Sequence, residues 1–333
     1  MSKPSYNFID ATFYFFKVFG ARPLSVAWIA VWQIILYAAF AALILYGFWP
    51  LIDLVISYGG KGEPSDAEAI QAVMQGVGFY SLGTIGLLIT ALMMQGAWLR
   101  LLTRNEVAGG IPLRFGADEL RLLLVNIVMG LLIFAGYIVT VLLYAAVNAG
   151  LMASGEGGGV ALQALANTLL TIVLVVGWIL FALGMAPAPG LTVRQRGVKI
   201  FQGFSAAGGV MGWMFLSYLV LILVAIIGYV VLSVIQQGFI MIGGAELIGA
   251  LIQIEDGSDP EVFMNALMQA LQNPLFWVMA GIAIVLQMIF EVFVHGCWHG
   301  VGAYVAVRHD GGFPPETPLE APADSVGQAP SEG

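Results

Sequence analysis

An all-α polytopic membrane bundle is the fold class this sequence predicts, with six transmembrane helices as three hairpin-like repeats. Three observations lead there. Of the 333 residues, 60% are hydrophobic and 10% charged, against roughly a quarter charged in soluble domains, and the mean hydropathy is +0.92. Six apolar stretches, at 24–49, 71–99, 121–148, 160–184, 210–242 and 275–306, each reach the ~20 residues that cross a bilayer. A backbone in lipid must satisfy its own hydrogen bonds, and a barrel would show alternating segments of ~10 residues instead of these runs. Finally, eleven of the twelve basic residues lie at alternate junctions between the stretches: Lys3, Lys17 and Arg22; Arg100, Arg104, Arg114 and Arg121; Arg194, Arg196 and Lys199; Arg308. Only Lys61 falls on the other side. Basic residues in short loops stay cytoplasmic, so both termini are expected in the cytoplasm.

The formal charge of −8 does not point to a basic partner or to nucleic acid, because ten of the twenty acids map to the outer loops and nine to the basic side. The remaining acid, Glu291, falls in the sixth stretch. A lone Cys297 permits no internal disulfide. The first apolar stretch is too long for a cleavable signal, whose apolar region runs ~7 to 15 residues.

Before the first stretch, 1–23 holds Phe8, Phe13, Tyr14, Phe15, Phe16 and Phe19, and ends at Gly20-Ala21-Arg22-Pro23. Twelve residues from Phe8 to Phe19 cannot span a membrane, and their aromatic density predicts an interfacial helix on the cytoplasmic face. The transmembrane domain occupies 24–307. Its first outer turn contains Ser65 and Glu68 at capping-box spacing, and its third contains Asp259 followed by Pro260, a cap with proline at the first helical position. The middle outer turn, Gly155 to Gly159, is shorter, and span four ends in Ala186-Pro-Ala-Pro-Gly190. At the inner ends, Gln95-Gly-Ala-Trp98 is echoed by His295-Gly-Cys-Trp298. Gly208 with Gly212, and Gly296 with Gly300, have close-packing spacing. The outer segment 243–273 carries Val262, Phe263, Ala266, Leu267, Ala270 and Leu271 at helical spacing, an amphipathic pattern. The tail, 308–333, is rich in Pro, Gly, Ser and acids and is expected to be disordered.

Two constellations carry candidate chemistry. On span six, Gln287, Glu291, His295 and His299 follow at four-residue intervals and drift slowly around one helix face. At ~1.5 Å per residue from Phe276, Glu291 lies about 22 Å deep and His295 about 28 Å, near the inner interface. Interfacial histidines beside a Glu291 bonded to a neighbouring helix, a proton-conducting polar path, and a metal or haem site all fit this pattern. His309 is the only other histidine and no second ligand cluster exists, so no metal or cofactor is predicted. The second constellation is the basic set Arg100, Arg104, Arg114, Arg121, Arg194, Arg196 and Lys199. On a helix Arg114, Asp118 and Arg121 would share a face and form an ion-pair string. Capture of anionic lipid headgroups is the functional reading of the set, and topology determination accounts for the same residues. Motifs for P-loops, zinc proteases, nucleophile elbows and C-x-x-C sites are absent.

Arg-Leu-Leu-Thr-Arg at 100–104 and Leu-Arg-Phe-Gly-Ala-Asp-Glu-Leu-Arg-Leu-Leu at 113–123 resemble uncharacterised integral membrane proteins of proteobacteria. More distantly, the plan is similar to the membrane domain that accompanies some bacterial glycerophosphodiester phosphodiesterases. The catalytic barrel of those enzymes has no counterpart here, so no catalytic residue carries over. The resemblance implies a bacterial inner-membrane protein connected with lipids or envelope upkeep. The expected function is a non-catalytic module that contacts lipids or binds a membrane-protein partner or a second copy of itself, the alternative being a transporter or channel for a lipid or small solute. Reporter fusions after Gly110, Arg196 and Asp310 are expected to read cytoplasm and those within 59–66 and 255–260 the outer side. A cytoplasmic signal at 255–260 would overturn the six-span topology.

Overall fold

The computed structural model describes residues 5–58, 65–153, 159–245, 249, 265–266, 269–270 and 272–312. Lys61, the Asp259–Pro260 cap, most of the outer segment 243–273 and the tail beyond 312 lie outside the described residues. Among those described, six helices are long and apolar enough to cross a membrane and no strand occurs. The chain is a membrane protein with an all-α bundle.

Two short helices, α1 (Phe8–Thr12) and α2 (Tyr14–Ala21), precede span one, α3 (Pro23–Tyr58). The Asn7 side chain accepts from the Ile9 and Asp10 N–H groups and starts α1. Pro23, which has no N–H to give, separates α2 from α3. Span one continues through Pro50 to Tyr58, further than its apolar stretch indicated, since a proline in a membrane helix is tolerated when neighbours compensate. Span two, α4 (Asp66–Arg104), opens with the capping box expected at Ser65 and Glu68, both reciprocal bonds being present. It closes at Asn105, whose left-handed φ of 60° is a conformation asparagine adopts more readily than most residues.

Spans three and four are α5 (Ala117–Ala153) and α6 (Val160–Met185). The Ala186-Pro187 break turns the chain into α7 (Ala188–Arg194), buried from Ala188 to Val193. After α8 (Gln202–Ala207), spans five and six are α9 (Met211–Gly243) and α10 (Pro274–His309). Consecutive spans pair as α3 with α4, α5 with α6 and α9 with α10. Each pair is closed by a glycine under an aromatic ring: Gly86 under Phe40, Gly136 under Trp178, Gly228 under Phe290. A Cβ at any of these would overlap the ring, so small residues set the approach of the backbones.

The core lies at the end where the basic residues collect. It runs through α4 between Leu92 and Thr103, through α7, and through α10 between Gly296 and Val307. Towards the other end, side chains such as Leu131, Phe134 and Leu142 are exposed, as lipid-facing residues are. Helix α7 is the hub, packed against α4, α5, α8 and α10. Its Gly190 fits against Ala303 and Ala306.

The N-terminal helix is separate from span one, as expected, but it does not simply rest on the surface. Ala11, Thr12, Tyr14 and Phe15 are buried while Phe13 and Phe16 are exposed. The Phe15 ring covers Gly296 and stands edge-on to Trp98 and Phe293, with centroids 5.6 and 6.0 Å away. Tyr14 donates to the Leu102 carbonyl at 2.8 Å, and burial pushes its phenol pKa up, which keeps it a donor. Aromatic density alone does not reveal this, because the complementary surface is a small-residue stripe about 280 positions away.

The echoed motif is preserved at its glycines. Gly96 lies under the Glu119 carboxylate and Gly296 under Phe15. The tryptophans diverge: Trp98 is buried and donates to Gln33 at 3.0 Å, whereas Trp298 is half exposed beside Tyr218. Phe15→Ala is expected to lose about 3 to 5 kcal/mol, and Phe13→Ala to stay within about 0.5 kcal/mol of the parent. Thermal unfolding of both in one detergent measures the difference, and equal melting temperatures would show that Phe15 does not anchor the bundle.

Candidate functional site

Three of the four polar residues of α10, Gln287, Glu291 and His295, belong to a string that joins spans five and six. Gln236 of α9 donates to the Ala283 carbonyl at 3.2 Å and to Gln287 Oε1 at 3.1 Å. Gln287 donates in turn to Glu291 Oε1 at 2.9 Å, and Tyr229 of α9 donates to the same oxygen at 2.7 Å. The bonds from Gln236 to Gln287, from Gln287 to Glu291 and from Tyr229 to Glu291 all run towards the carboxylate. His295 Nδ1 lies 2.8 Å from the Glu291 backbone carbonyl and 3.8 Å from its Oε2. A carbonyl only accepts, so Nδ1 carries the proton and Nε2 is the second polar atom of the ring. Among the described residues no group of three or more His, Cys, Asp or Glu side chains is placed to hold a metal ion.

The slow drift around α10 carries His295 and His299 away from α9 and into a cavity of about 690 Å³ between α3, α4, α5 and α10. Its apolar walls include Leu88, Leu92, Met94 and Leu123. Leu88, Ile89, Phe115 and Leu123 are exposed, so the cavity opens sideways onto the apolar surface of the bundle. Its polar groups come from three helices: the two histidines, Gln95, and Asn126, which donates to Gln95 at 2.7 Å. Tyr37 adds a fourth element. A hollow apolar on one side and lined with hydrogen-bonding side chains on another suits an amphiphile better than a hydrated ion, and its volume falls in the ~300 to 1,000 Å³ range of ligand sites.

Sequence reasoning identified the α10 residues but not Tyr37, Asn126, Tyr229 or Gln236. In the sequence Gln95 stands out only through the echoed motif. Each is a single polar residue in an apolar run, which is a weak signal until the fold shows which of them meet.

The basic set divides in two. Arg100 is buried with Glu119 in a direct ion pair and also donates to the Pro112 carbonyl at 3.3 Å, while Glu119 accepts from the Gly116 N–H at 2.9 Å. Arg104 bonds to Asp118 at 2.5 Å and to the Val193 carbonyl at 3.0 Å, and Asp118 also pairs with Arg121 at 3.0 Å. Arg194 reaches Asp310 at 3.0 Å and the carbonyls of Thr103 and Gly312 at 2.5 and 2.9 Å. These side chains tie α4, α5, α7 and the end of α10 together. Arg114 and Arg196 are exposed, Arg196 standing 3.5 Å from Glu106, and Lys199 is half-buried.

The expected string of Arg114, Asp118 and Arg121 is corrected in one member. Helix α5 begins at Ala117, so Arg114 precedes the helix and shares no face with the others. Arg104, from α4, bonds to Asp118 on its other oxygen. Local periodicity could not supply a partner that arrives from another helix.

No family model, curated protein or solved structure significantly matches this chain. Removing one partner of a buried ion pair strands the other charge and typically costs about 3 to 5 kcal/mol. Arg100→Ala is therefore expected to lower stability by that order, and Arg114→Ala to change it by less than about 0.5 kcal/mol. Denaturation of the purified variants distinguishes them, and an Arg100→Ala protein as stable as the parent would contradict the role of the buried pair.

Proposed function

We propose that the chain is a non-catalytic, lipid-contacting module of the bacterial inner membrane, with its basic end in the cytoplasm. The asymmetry of the basic residues supports the orientation. The observation that carries the lipid reading is the sideways-opening cavity of about 690 Å³, apolar along one side and lined by Gln95, Asn126, His295 and His299 on another. In the proposed orientation it lies in the inner leaflet, where an acyl chain would take the apolar walls and an ester or hydroxyl group the polar patch. The distant similarity of the overall plan to the membrane domain that accompanies some bacterial glycerophosphodiester phosphodiesterases agrees with a role connected with lipids. The same cavity face is where a membrane partner presenting a lipid would approach.

A transporter is the second reading, and Glu291 is the observation that favours it. Its carboxylate accepts from Tyr229 and Gln287 and so links α9 to α10. Towards the outer end, Leu275 to Leu286 of span six contain no ionisable residue. The string is thus better read as interhelical bonding, which in membranes takes this form, than as one end of a charged path.

Two measurements test the proposal. Photolabelling with a diazirine phospholipid is expected to concentrate on the α4–α5–α10 face and to fall several-fold in Ala91→Trp, which fills the cavity; labelling spread evenly around the bundle would sink the lipid site. Glu291→Gln keeps an acceptor for Tyr229 and Gln287 and is expected to leave folding and growth from pH 5 to pH 8 unchanged. Loss of a pH-dependent flux in that variant at normal protein level would instead establish transport.

A further inference from the structure

The lateral cavity leaves hydrogen-bonding capacity unused, and the atoms left over describe the ligand more closely than the volume does. Asn126 donates to Gln95 Oε1 at 2.7 Å. Among the described residues, neither the Gln95 amide nitrogen nor the Asn126 carbonyl oxygen bonds to anything further. His295 uses Nδ1 on the Glu291 carbonyl, which leaves Nε2. Asn126 and His295 are nevertheless exposed on helices that cross the membrane. Hydrocarbon gives such groups no partner, and leaving them unbonded there is costly. We propose that the cavity binds a glycerolipid whose head is an uncharged hydroxyl, of the diacylglycerol type. The proposal rests on the cavity being a lipid site and names the class of lipid.

Donor and acceptor are both on offer, and that decides against a phosphate. A hydroxyl accepts from the Gln95 amide N–H and donates to the Asn126 oxygen. Phosphodiester oxygens only accept, so they would leave Asn126 unmatched and meet its oxygen as a second acceptor. An ethanolamine head has donors, but its phosphate would bring a full charge into a wall with nothing of fixed charge to receive it. No Lys, Arg, Asp or Glu is among the described lining residues. The two histidines are the lining groups that take up charge near neutral pH, and the Glu291 carboxylate, 3.8 Å from His295 Nδ1, balances that ring when it is protonated.

Depth points the same way. Gln95 and Asn126 each lie five residues further from the basic end than Arg100 on α4 and Arg121 on α5, roughly 8 Å along the helix axis. Those two cations are already matched, by Glu119 and Asp118. Arg114 is the exposed cation beside the mouth, next in the chain to the lining residue Phe115. A phospholipid head would be held there, above the amides, and would leave them unbonded. A lipid without phosphate sinks to their level.

The full chain in phosphatidylcholine nanodiscs at pH 8, where an ordinary histidine is neutral, is given diacylglycerol or phosphatidylglycerol carrying the same acyl-chain diazirine. Peptide mapping reads the label. At equal mole fraction the diacylglycerol probe is expected to label the α4–α5–α10 face about ten-fold more strongly, the order of discrimination one bonded hydroxyl gives. Unlabelled diacylglycerol should compete, and its 3-O-methyl ether, which keeps both acyl chains and loses the donor, should compete several-fold less. That comparison is made on the parent, so no variant's folding enters it. Gln95→Leu with Asn126→Leu should bring the two probes to equal labelling while the apolar walls keep the label on the same face, and Arg114→Gln should leave the ratio unchanged. Equal competition by the methyl ether, or by oleic acid, overturns the proposal. So does a phosphatidylglycerol preference in the parent, and its loss in Arg114→Gln would assign the phosphate to that cation. The lipid site itself survives each of these results; label spread evenly around the bundle with both probes would remove the site and the proposal with it.

Discussion

Seating of the Phe15 ring on Gly296 is the contact on which the basic end of the bundle depends, because a short helix with no membrane span of its own has little else to hold it. Gly296 and Gly300 leave room on α10 for α2 to come within backbone distance, and Trp98 and Phe293 wall the ring on its edges. Once α2 is in place, Tyr14 can reach the end of α4 and Thr12 can bond to Ser217 of α9 at 3.0 Å. Burial also pushes the Tyr6 phenol pKa up, so it too stays protonated beside Ser217 and Tyr304. Spans one, two, five and six are thereby joined through a segment of about a dozen residues. The absence of a hydrophobic drive between helices in lipid makes such close-packed, hydrogen-bonded contacts the main source of association.

The charged residues follow a related logic. In sequence they mark one side of a membrane; in the structure many of them are fasteners. Arg100 with Glu119, Arg104 with Asp118 and Arg194 with Asp310 each bridge elements distant along the chain, and backbone carbonyls take the remaining donors. A buried ion pair is weak evidence for net stability because desolvation offsets the attraction. Its geometric demand is strict, however, and here it fixes how α7 sits among α4, α5 and α10.

Glu291 shows how a polar residue in a membrane helix can serve packing as well as chemistry. Its carboxylate accepts bonds from both α9 and α10, so it does not face lipid unpartnered. The histidines one and two turns further on face a different space, the lateral cavity, where they meet Gln95 and Asn126. One drifting row of residues on α10 is thus divided between an interhelical bond network and a cavity wall. A four-residue spacing advances about 40° per step around a helix, and over three steps that is enough to pass from one neighbour to another.

The number of long apolar helices, their all-α character and the capping box at Ser65 were legible in the sequence, because each rests on local composition or spacing. Lipid imposes length and apolarity on every span, and a capping box lies within four residues. The α10 polar row was legible for the same reason. Which neighbours those residues meet was not: Tyr229, Gln236, Gln95 and Asn126 come from other helices, and nothing local pairs them. Only the tertiary structure turned Arg100 and Arg194 inward, placed Arg114 outside its expected helix, and buried one face of the N-terminal segment. Helix rotation and close approach are decided by complementary surfaces far apart in the chain, such as Phe15 and Gly296, whereas the membrane constrains only what each segment carries by itself.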